Sequence, residues 1–401
     1  MGAGSKADRL MRGVEMLETA DELKAKLEKS EQTGKPLRVK LGIDPTGPEI
    51  HLGFAVVLRK LREFQDLGHL AVLIVGDFTA RIGDPSGVSK TRPQLSHDEV
   101  RANMRRYQEQ VYDILVPERC EFRYNAEWSD QLTGLDIINI ASKYTVARII
   151  EREDFRTRLD KGIPLHMHEL LYPLFQGYDS VAIEADVELG GTDQYLNLLV
   201  GRALQREFGQ EPQVVMTMPL LVGLDGKLKM SKSYGNYVSI KDPPNEMFGK
   251  LMSIPDELIM NYLLLCTGRA EAELKAVEER LKSGENPRDI KAELAKEVIS
   301  IYHSVEAANE AGIEFDRVFR QKELPDDMPE YGVGAGGVNI VDLIVSAELL
   351  PSKSEARRKL TEGAVYLDGE RIDDMGLLVR VEAEPRVLKV GKRRFLRLVR
   401  K

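Results

Sequence analysis

Five short apolar runs, at residues 39–43, 71–75, 121–124, 181–183 and 214–218, alternate with segments whose Leu, Val and Phe positions recur at helical spacing. Strands interleaved with helices pair in parallel through crossovers that cover both faces of the sheet. The alternation therefore predicts an α/β fold, a Rossmann-like, doubly wound parallel sheet. From Pro243 to about residue 319 the strand signals stop and Glu/Lys-rich helical segments take over, as at 271–282 and 289–307. Residues 322–337 then collect Pro and Gly, ending in Gly332-Val333-Gly334-Ala335-Gly336-Gly337, the composition of a flexible linker. Beyond it, helices at 340–347 and 353–361 and short strands at 364–367 and 386–390 read as a small α+β unit. A chain of 401 residues exceeds one typical core. The expected domains are 1–238 with the sheet, 239–321 with helices only, and 338–401, with 322–337 as the linker.

The first run leads at once into Asp44-Pro45-Thr46-Gly47-Pro48-Glu49-Ile50-His51-Leu52-Gly53-Phe54, and far downstream lies Lys229-Met230-Ser231-Lys232-Ser233. A strand-to-helix turn offers unpaired N–H groups and the positive end of a helix dipole to an anion. His51, in the first turn, can donate to phosphate oxygens, and Gly53 lets a nucleotide approach the backbone. Two lysines bracketing a small residue, on a flexible loop, can swing onto a pyrophosphate leaving group and stabilise its developing charge. Together the two stretches imply adenylate chemistry on ATP. Gly83-Asp84-Pro85-Ser86-Gly87 resembles a phosphate-cradling loop but lacks the Gly-Lys-Ser/Thr ending of a P-loop, which weakens a kinase or GTPase reading. Lys90 and Arg92, just beyond, are candidate pyrophosphate cations.

Tyr172, Gln176 and Asp179 are spaced to form one polar stripe of a helix that also carries Leu170, Leu171, Leu174 and Phe175. Either the stripe meets water or it is buried and needs a polar ligand; Pro173 suggests that it begins in the first turn of the helix. Gly190-Gly191-Thr192-Asp193-Gln194 sets two residues without side chains beside an acid, an arrangement that admits a ribose against backbone while a carboxylate accepts its hydroxyls. His166 and His168 lack further ligands at suitable spacing, so no dedicated metal site is expected.

Charge is unevenly spread. Residues 336–401 hold 14 Lys and Arg against 10 Asp and Glu in a chain of net charge −8, so the acidic part is the body and the tail is basic. A local polyanion contact is implied, because cation clustering matters more than overall charge. Arg357, Arg358 and Lys359 on one helix can meet successive phosphates. Cys120 and Cys266 stand far apart and outside any C-x-x-C, which speaks against a disulfide framework and for a reducing compartment, the cytoplasm. The N-terminus carries no apolar h-region and no stretch further on is long enough to span a bilayer, so no membrane partner is expected.

The two opening stretches resemble the signatures of class I aminoacyl-tRNA synthetases, and Gly83–Gly87, Tyr172 through Asp179 and Gly190 through Gln194 resemble the tyrosyl-tRNA synthetase family. The tail, from Ser352 to Gly369, resembles an S4-type RNA-binding domain. The resemblance implies a bacterial-type tyrosine-tRNA ligase with a helical anticodon-binding domain. Its partners would be L-tyrosine and tRNA(Tyr), its substrate ATP with Mg2+ and no protein site for the ion, and its assembly a homodimer. It implies Thr46, His51, Lys229, Lys232 and Ser233 as catalytic residues. Tyr172, Gln176, Asp84 and Gln194 would hold tyrosine, Asp179 its phenolic OH, and Lys40 would stand where many members carry a tyrosine touching the phenol. Gly42, Asp44, Gly53, Arg92, Gly191, Asp193 and Lys232 would bind ATP. Two departures weaken the pattern: Phe54 replaces the expected second His, and Val88 stands where Lys or Arg often follows the glycine loop. The alternatives are an RNA-binding paralogue with weak or lost activation, and an adenylating enzyme for another aromatic acid, suggested by Lys40.

Overall fold

The parallel sheet is present, with six strands: β1 (Met16–Glu18), β2 (Arg38–Ile43), β3 (Leu70–Val75), β4 (Cys120–Tyr124), β5 (Val187–Gly191) and β6 (Val214–Met218), ordered β1-β6-β5-β2-β3-β4. Every neighbouring pair is parallel except β1, which adds antiparallel to β6. The central strands are buried on both faces, which is why β3 reads as an unbroken apolar run. From β2 the chain winds outward through β3 to β4, then returns to the other side of β2 as β5. The ends of β2 and β5 therefore flank the switch point, where crossovers diverge and leave a crevice. The computed structural model describes residues 2–43, 49–82, 97–319, 328–334, 336–382, 384–391 and 394–401.

Helices α1 (Ala3–Met11), α2 (Ala20–Thr33), α3 (Leu52–Asp66) and α4 (His97–Tyr112) belong to the first half of the sheet. After β4 come α5 (Ala126–Ser129), α6 (Gly134–Ser142), α7 (Val146–Ile149), α8 (Glu153–Asp160) and α9 (Met167–Ala182), and α10 (Tyr195–Glu207) links β5 to β6. Helix α3 buries Leu52, Ala55, Val56, Leu58 and Leu61, the period-3.6 stripe of its sequence. Then follow α11 (Pro244–Met252), α12 (Ile259–Cys266), α13 (Glu271–Lys282) and α14 (Pro287–Tyr302).

Two expectations are corrected. The run at 181–183 is not a strand but the last turn of α9 and its cap; Val181 and Ile183 are apolar because the helix buries them, and a three-residue run carries no period by which to tell the two apart. By contacts, residues 1–305 form one compact unit, in which α12 packs on α3, and 306–401 form the second. The expected linker contains β7 (Glu330–Val333), whose backbone pairs in parallel with residues 397–400. Alternation turns Tyr331 and the buried Val333 onto the core of that unit, and the pairing partner lies at the far end of the chain.

The second unit opens with α15 (Val305–Phe319) and continues with β8 (Val338–Asn339), α16 (Ile340–Ser346), α17 (Lys353–Thr361), β9 (Val365–Leu367), β10 (Glu370–Arg371), β11 (Leu378–Val379), β12 (Arg386–Val390) and β13 (Arg394–Arg400). Its sheet runs β10-β9-β12-β13-β7, and Ile340, Ile344, Leu360, Val365, Leu388 and Leu398 lie in its core. Strand alternation then places Tyr366, Lys389, Phe395 and Arg397 on the opposite face.

Candidate active site

A cavity of 310 Å³ lies at the carboxyl ends of β2 and β5, bounded by the first turn of α3, one face of α9 and the segment from Pro219 to Ser231. His51 caps α3, its Nδ1 accepting the Phe54 amide at 3.2 Å. The ring proton therefore sits on Nε2, which is left as a donor. Burial, reinforced by the charges of Lys232 and Lys229, pushes the imidazole pKa down to about 4, so the ring is neutral at physiological pH. Phe54 lines the cavity and meets Tyr107 edge-on, with ring centroids 5.8 Å apart.

Gly53 is required by a close approach. Its amide donates to Met230 Sδ at 3.4 Å, and a Cβ there would lie 3.2 Å from His51 Nδ1 and 3.3 Å from Met230 Cβ. Expected to make room for a nucleotide, it also seats the lysine loop on α3. That loop is held rather than loose. The Met230 amide donates to the Leu221 carbonyl at 2.7 Å, and the Ser231 amide to Asn236 Oδ1 at 2.9 Å. Asn236 Nδ2 in turn donates to Asp225 Oδ2 at 3.1 Å and to the Lys229 carbonyl at 3.2 Å. Asn236, buried and central to the loop, was not singled out from the sequence. Ser233 is exposed in a short turn, Lys232–Tyr234, closed by Gly235 at φ 64°.

The two lysines differ. Lys229 Nζ pairs with Asp193 Oδ2 at 2.6 Å, joining the loop to the expected ribose acid. Lys232 forms no ion pair among the described residues; burial holds its pKa below the usual lysine value, and the Glu49 charge opposes that. Its charge is left available to an anion. Gly42 is exposed, with open space where a Cβ would stand, and at Gly191 a Cβ would meet Asp193 Oδ1 at 2.8 Å.

The stripe on α9 faces the cavity and not water: Tyr172, Gln176 and Asp179 all line it. The helix starts at Met167, so Pro173 lies inside it and the stripe begins a turn later than expected. Asn197 Nδ2 bridges Gln176 Oε1 at 3.1 Å and Gln194 Oε1 at 2.9 Å, and Arg152 Nη1 donates to Asn197 Oδ1 at 2.9 Å. Asp179 is buried, accepting from Trp128 Nε1 at 2.8 Å and Asn125 Nδ2 at 3.3 Å. Burial pushes its pKa up to about 7, while the Lys40 charge and these two hydrogen bonds pull it down. Asn125, Asn197 and Trp128 were missed from the sequence; Trp128 is the only tryptophan of the chain, a signal that could have found it.

Lys40 is the clearest departure from expectation. It does not line the cavity but lies beneath it, 0% exposed, with Nζ 2.8 Å from Glu188 Oε1. Direct contact with a phenol is therefore excluded, and the ground for preferring another aromatic substrate goes with it. Asp44, Thr46, Asp84, Val88, Lys90 and Arg92 lie outside the described residues. His166 and His168 stack at 5.8 Å at the start of α9, where the His166 amide donates to Glu169 Oε1 at 3.0 Å. On α17, Arg357 is exposed, Arg358 is shared between Glu355 at 3.4 Å and Glu362 at 3.6 Å, and Lys359 pairs with Glu362 at 2.6 Å.

Residues 32–320 match the family of class I tRNA synthetases for tryptophan and tyrosine, and residues 320–398 match the tyrosine–tRNA ligase SYY-like C-terminal domain. The tyrosine–tRNA ligase of Thermotoga maritima is 56% identical over 390 residues, 97% of this chain and 96% of its own. That of Carboxydothermus hydrogenoformans is 53% identical over 396 residues, with 97% and 96% covered. Among solved structures, the tyrosyl-tRNA synthetase complexed with L-tyrosine from Archaeoglobus fulgidus aligns with a TM-score of 0.60 at 24% identity, covering 77% of this chain and 99% of that one. The tyrosyl-tRNA synthetase from Aeropyrum pernix gives 0.62 at 21% identity, covering 80% and 99%. These structures share the fold.

Proposed function

The chain belongs to the tyrosine branch of the class I tRNA synthetases, and from that premise we infer that its cleft joins L-tyrosine to ATP as tyrosyl-adenylate, expels pyrophosphate and passes the tyrosine to tRNA. The observation that carries the reading is the convergence of the α9 stripe, the neutral His51 donor and the lysine loop on one cavity at the switch point. The tyrosine carboxylate attacks the α-phosphorus in line. The chain supplies position and charge and forms no covalent bond to the substrate. Gln176 and Tyr172, together with Asp84, take the ammonium, and Asp179 accepts the phenolic hydroxyl. Gly42 and Gly191 leave backbone open to the nucleotide. Once Lys229 exchanges Asp193 for phosphate, that carboxylate is released to the ribose hydroxyls. Lys232 and His51 Nε2–H meet the charge that develops on pyrophosphate, with Thr46 and Ser233 as further donors and Asp44 and Arg92 beside the nucleotide.

Magnesium enters with ATP, held by phosphates and water. The tRNA meets the second unit, an S4-type module in this reading. There Arg357 is the least engaged of the three α17 cations, and the Tyr366, Lys389, Phe395 and Arg397 face adds aromatic rings and charge suited to RNA. The assembly is a homodimer in this reading: Leu135, Ile138, Val146 and Met167, large apolar residues between positions 135 and 167, are 59–75% exposed and would be covered by a second copy. Ile138→Asp then shifts sedimentation from dimer to monomer. The cytoplasm is the compartment that fits, since both cysteines are free thiols; no described helix is long and apolar enough to cross a membrane.

Phe54 leaves the site one donor short of the family pattern. Phe54→His is expected to raise kcat of activation while losing the edge contact to Tyr107, lowering stability by about 1 kcal/mol; pyrophosphate exchange and thermal melting measure the two effects. The function itself is tested by charging. The purified chain should esterify tRNA(Tyr) with labelled tyrosine, and failure to charge any tRNA while forming the adenylate would leave only the activation half standing.

A further inference from the structure

Lys40 and Glu188 are 0% and 1% exposed, an ion pair at the centre of the sheet. Such a pair adds little net stability over apolar residues of the same shape, because removing two charges from water costs about what their attraction returns. Its geometry nevertheless satisfies Lys40, Ser180 and both Glu188 oxygens, while Gln213 Oε1 at its edge is left buried without a partner among the described residues. Besides Glu188 Oε1, Lys40 Nζ donates to the Gln176 carbonyl at 2.8 Å and to Ser180 Oγ at 2.8 Å. Ser180 Oγ donates to Glu188 Oε2 at 3.1 Å, and Gln213 Nε2 donates to the same oxygen. Helix α10 meets the cluster at Gly201, where a Cβ would lie 2.8 Å from Ser180 Oγ and 3.2 Å from Glu188 Oε2. The two α9 residues that Lys40 holds, Gln176 and Ser180, bracket Asp179. One ammonium thus ties the tyrosine-facing stretch of α9 to β2 and β5.

We propose that Lys40 is a positioning residue for tyrosine recognition: anchored beneath the cleft by Glu188, it fixes where α9 presents Gln176 and Asp179 and supplies the positive charge that favours the Asp179 carboxylate. The proposal rests on the reading that Asp179 takes the phenolic hydroxyl. Among the described residues, few groups reach Asp179. Lys40 faces it from β2 and Glu188 from β5, while Trp128 on α5 and Asn125 just before it donate hydrogen bonds. The effects of Lys40 and Glu188 are opposed, and that of Lys40 is the larger. Losing both therefore makes Asp179 harder to ionise, and tyrosine binding should gain strength only at higher pH.

The test is tyrosine-dependent pyrophosphate exchange across about pH 6–9 for the native chain, Lys40→Met/Glu188→Gln and Ser180→Ala. The double variant keeps the core neutral; Ser180→Ala removes one tether and no charge. Expected are a rise in KM for tyrosine of about tenfold in the double variant and about threefold in Ser180→Ala, with kcat at saturating tyrosine within about twofold. The pH midpoint of KM moves upward in the double variant only. Unchanged KM and midpoint in folded variants of an active enzyme would overturn the proposal. If the double variant does not fold, an unchanged KM in Ser180→Ala does so alone. A native chain that exchanges no tyrosine fails the underlying reading instead.

Discussion

Lys232→Ala should lower kcat for tyrosine activation by about 10²–10³-fold, the cost of one preorganised donor to developing charge, and leave KM for tyrosine unchanged. Lys232 has no carboxylate partner among the described residues to lose, and burial, which holds its pKa below the usual lysine value, leaves its charge poorly compensated until an anion binds. Its counterpart behaves differently. Lys229 is paired with Asp193 in the free protein, so Lys229→Ala removes a phosphate cation and also releases the ribose acid, and the losses in a double variant should not add. Single-turnover formation of the adenylate, followed at saturating tyrosine, separates the two. Equal losses in both single variants that add in the double would show that the ion pair has no part in the cycle.

Replacing Asp179 by Asn should cost tyrosine about 10²-fold in kcat/KM, the scale of a hydrogen bond to a charged group, while phenylalanine changes little. The ratio of the two substrates then falls by about the same factor. A site built to bond a hydroxyl leaves its own polar group unpaired against the analogue lacking one, an effect for which this family is itself a standard example. Trp128 and Asn125 aim their donors at the carboxylate and fix its orientation. Because burial pushes the Asp179 pKa up to about 7, its ionised form gains as pH rises through that value, and KM for tyrosine should fall over the same interval. In the Asn variant that pH dependence disappears.

Much of the sheet was legible because buried parallel strands advertise themselves: β6 falls on the run read from sequence, and β2, β3 and β4 differ by a residue at one end. Helix α17 also begins and ends as read, its start set by Ser352, whose hydroxyl accepts the Glu355 amide at 3.3 Å. The run at 181–183 failed because a helix end and a short strand bury the same residue types. Strand β7 was hidden by its glycine-rich surroundings and by a pairing partner at the far end of the chain, although its Val333 is buried in the core of that unit. At the site, periodicity revealed the α9 stripe, since spacing along a helix is local information. The surroundings of that stripe were not local. Asn197, Asn125 and Trp128 reach it from other elements, and Lys40 reads as a pocket residue until Glu188 on β5 is seen to claim it.

Exchange of labelled pyrophosphate into ATP, run side by side with tyrosine, phenylalanine and tryptophan on the purified chain, tests the assignment most directly. Exchange should depend on tyrosine, with phenylalanine and tryptophan far slower. Exchange with none of the three, or faster exchange with phenylalanine, would contradict it.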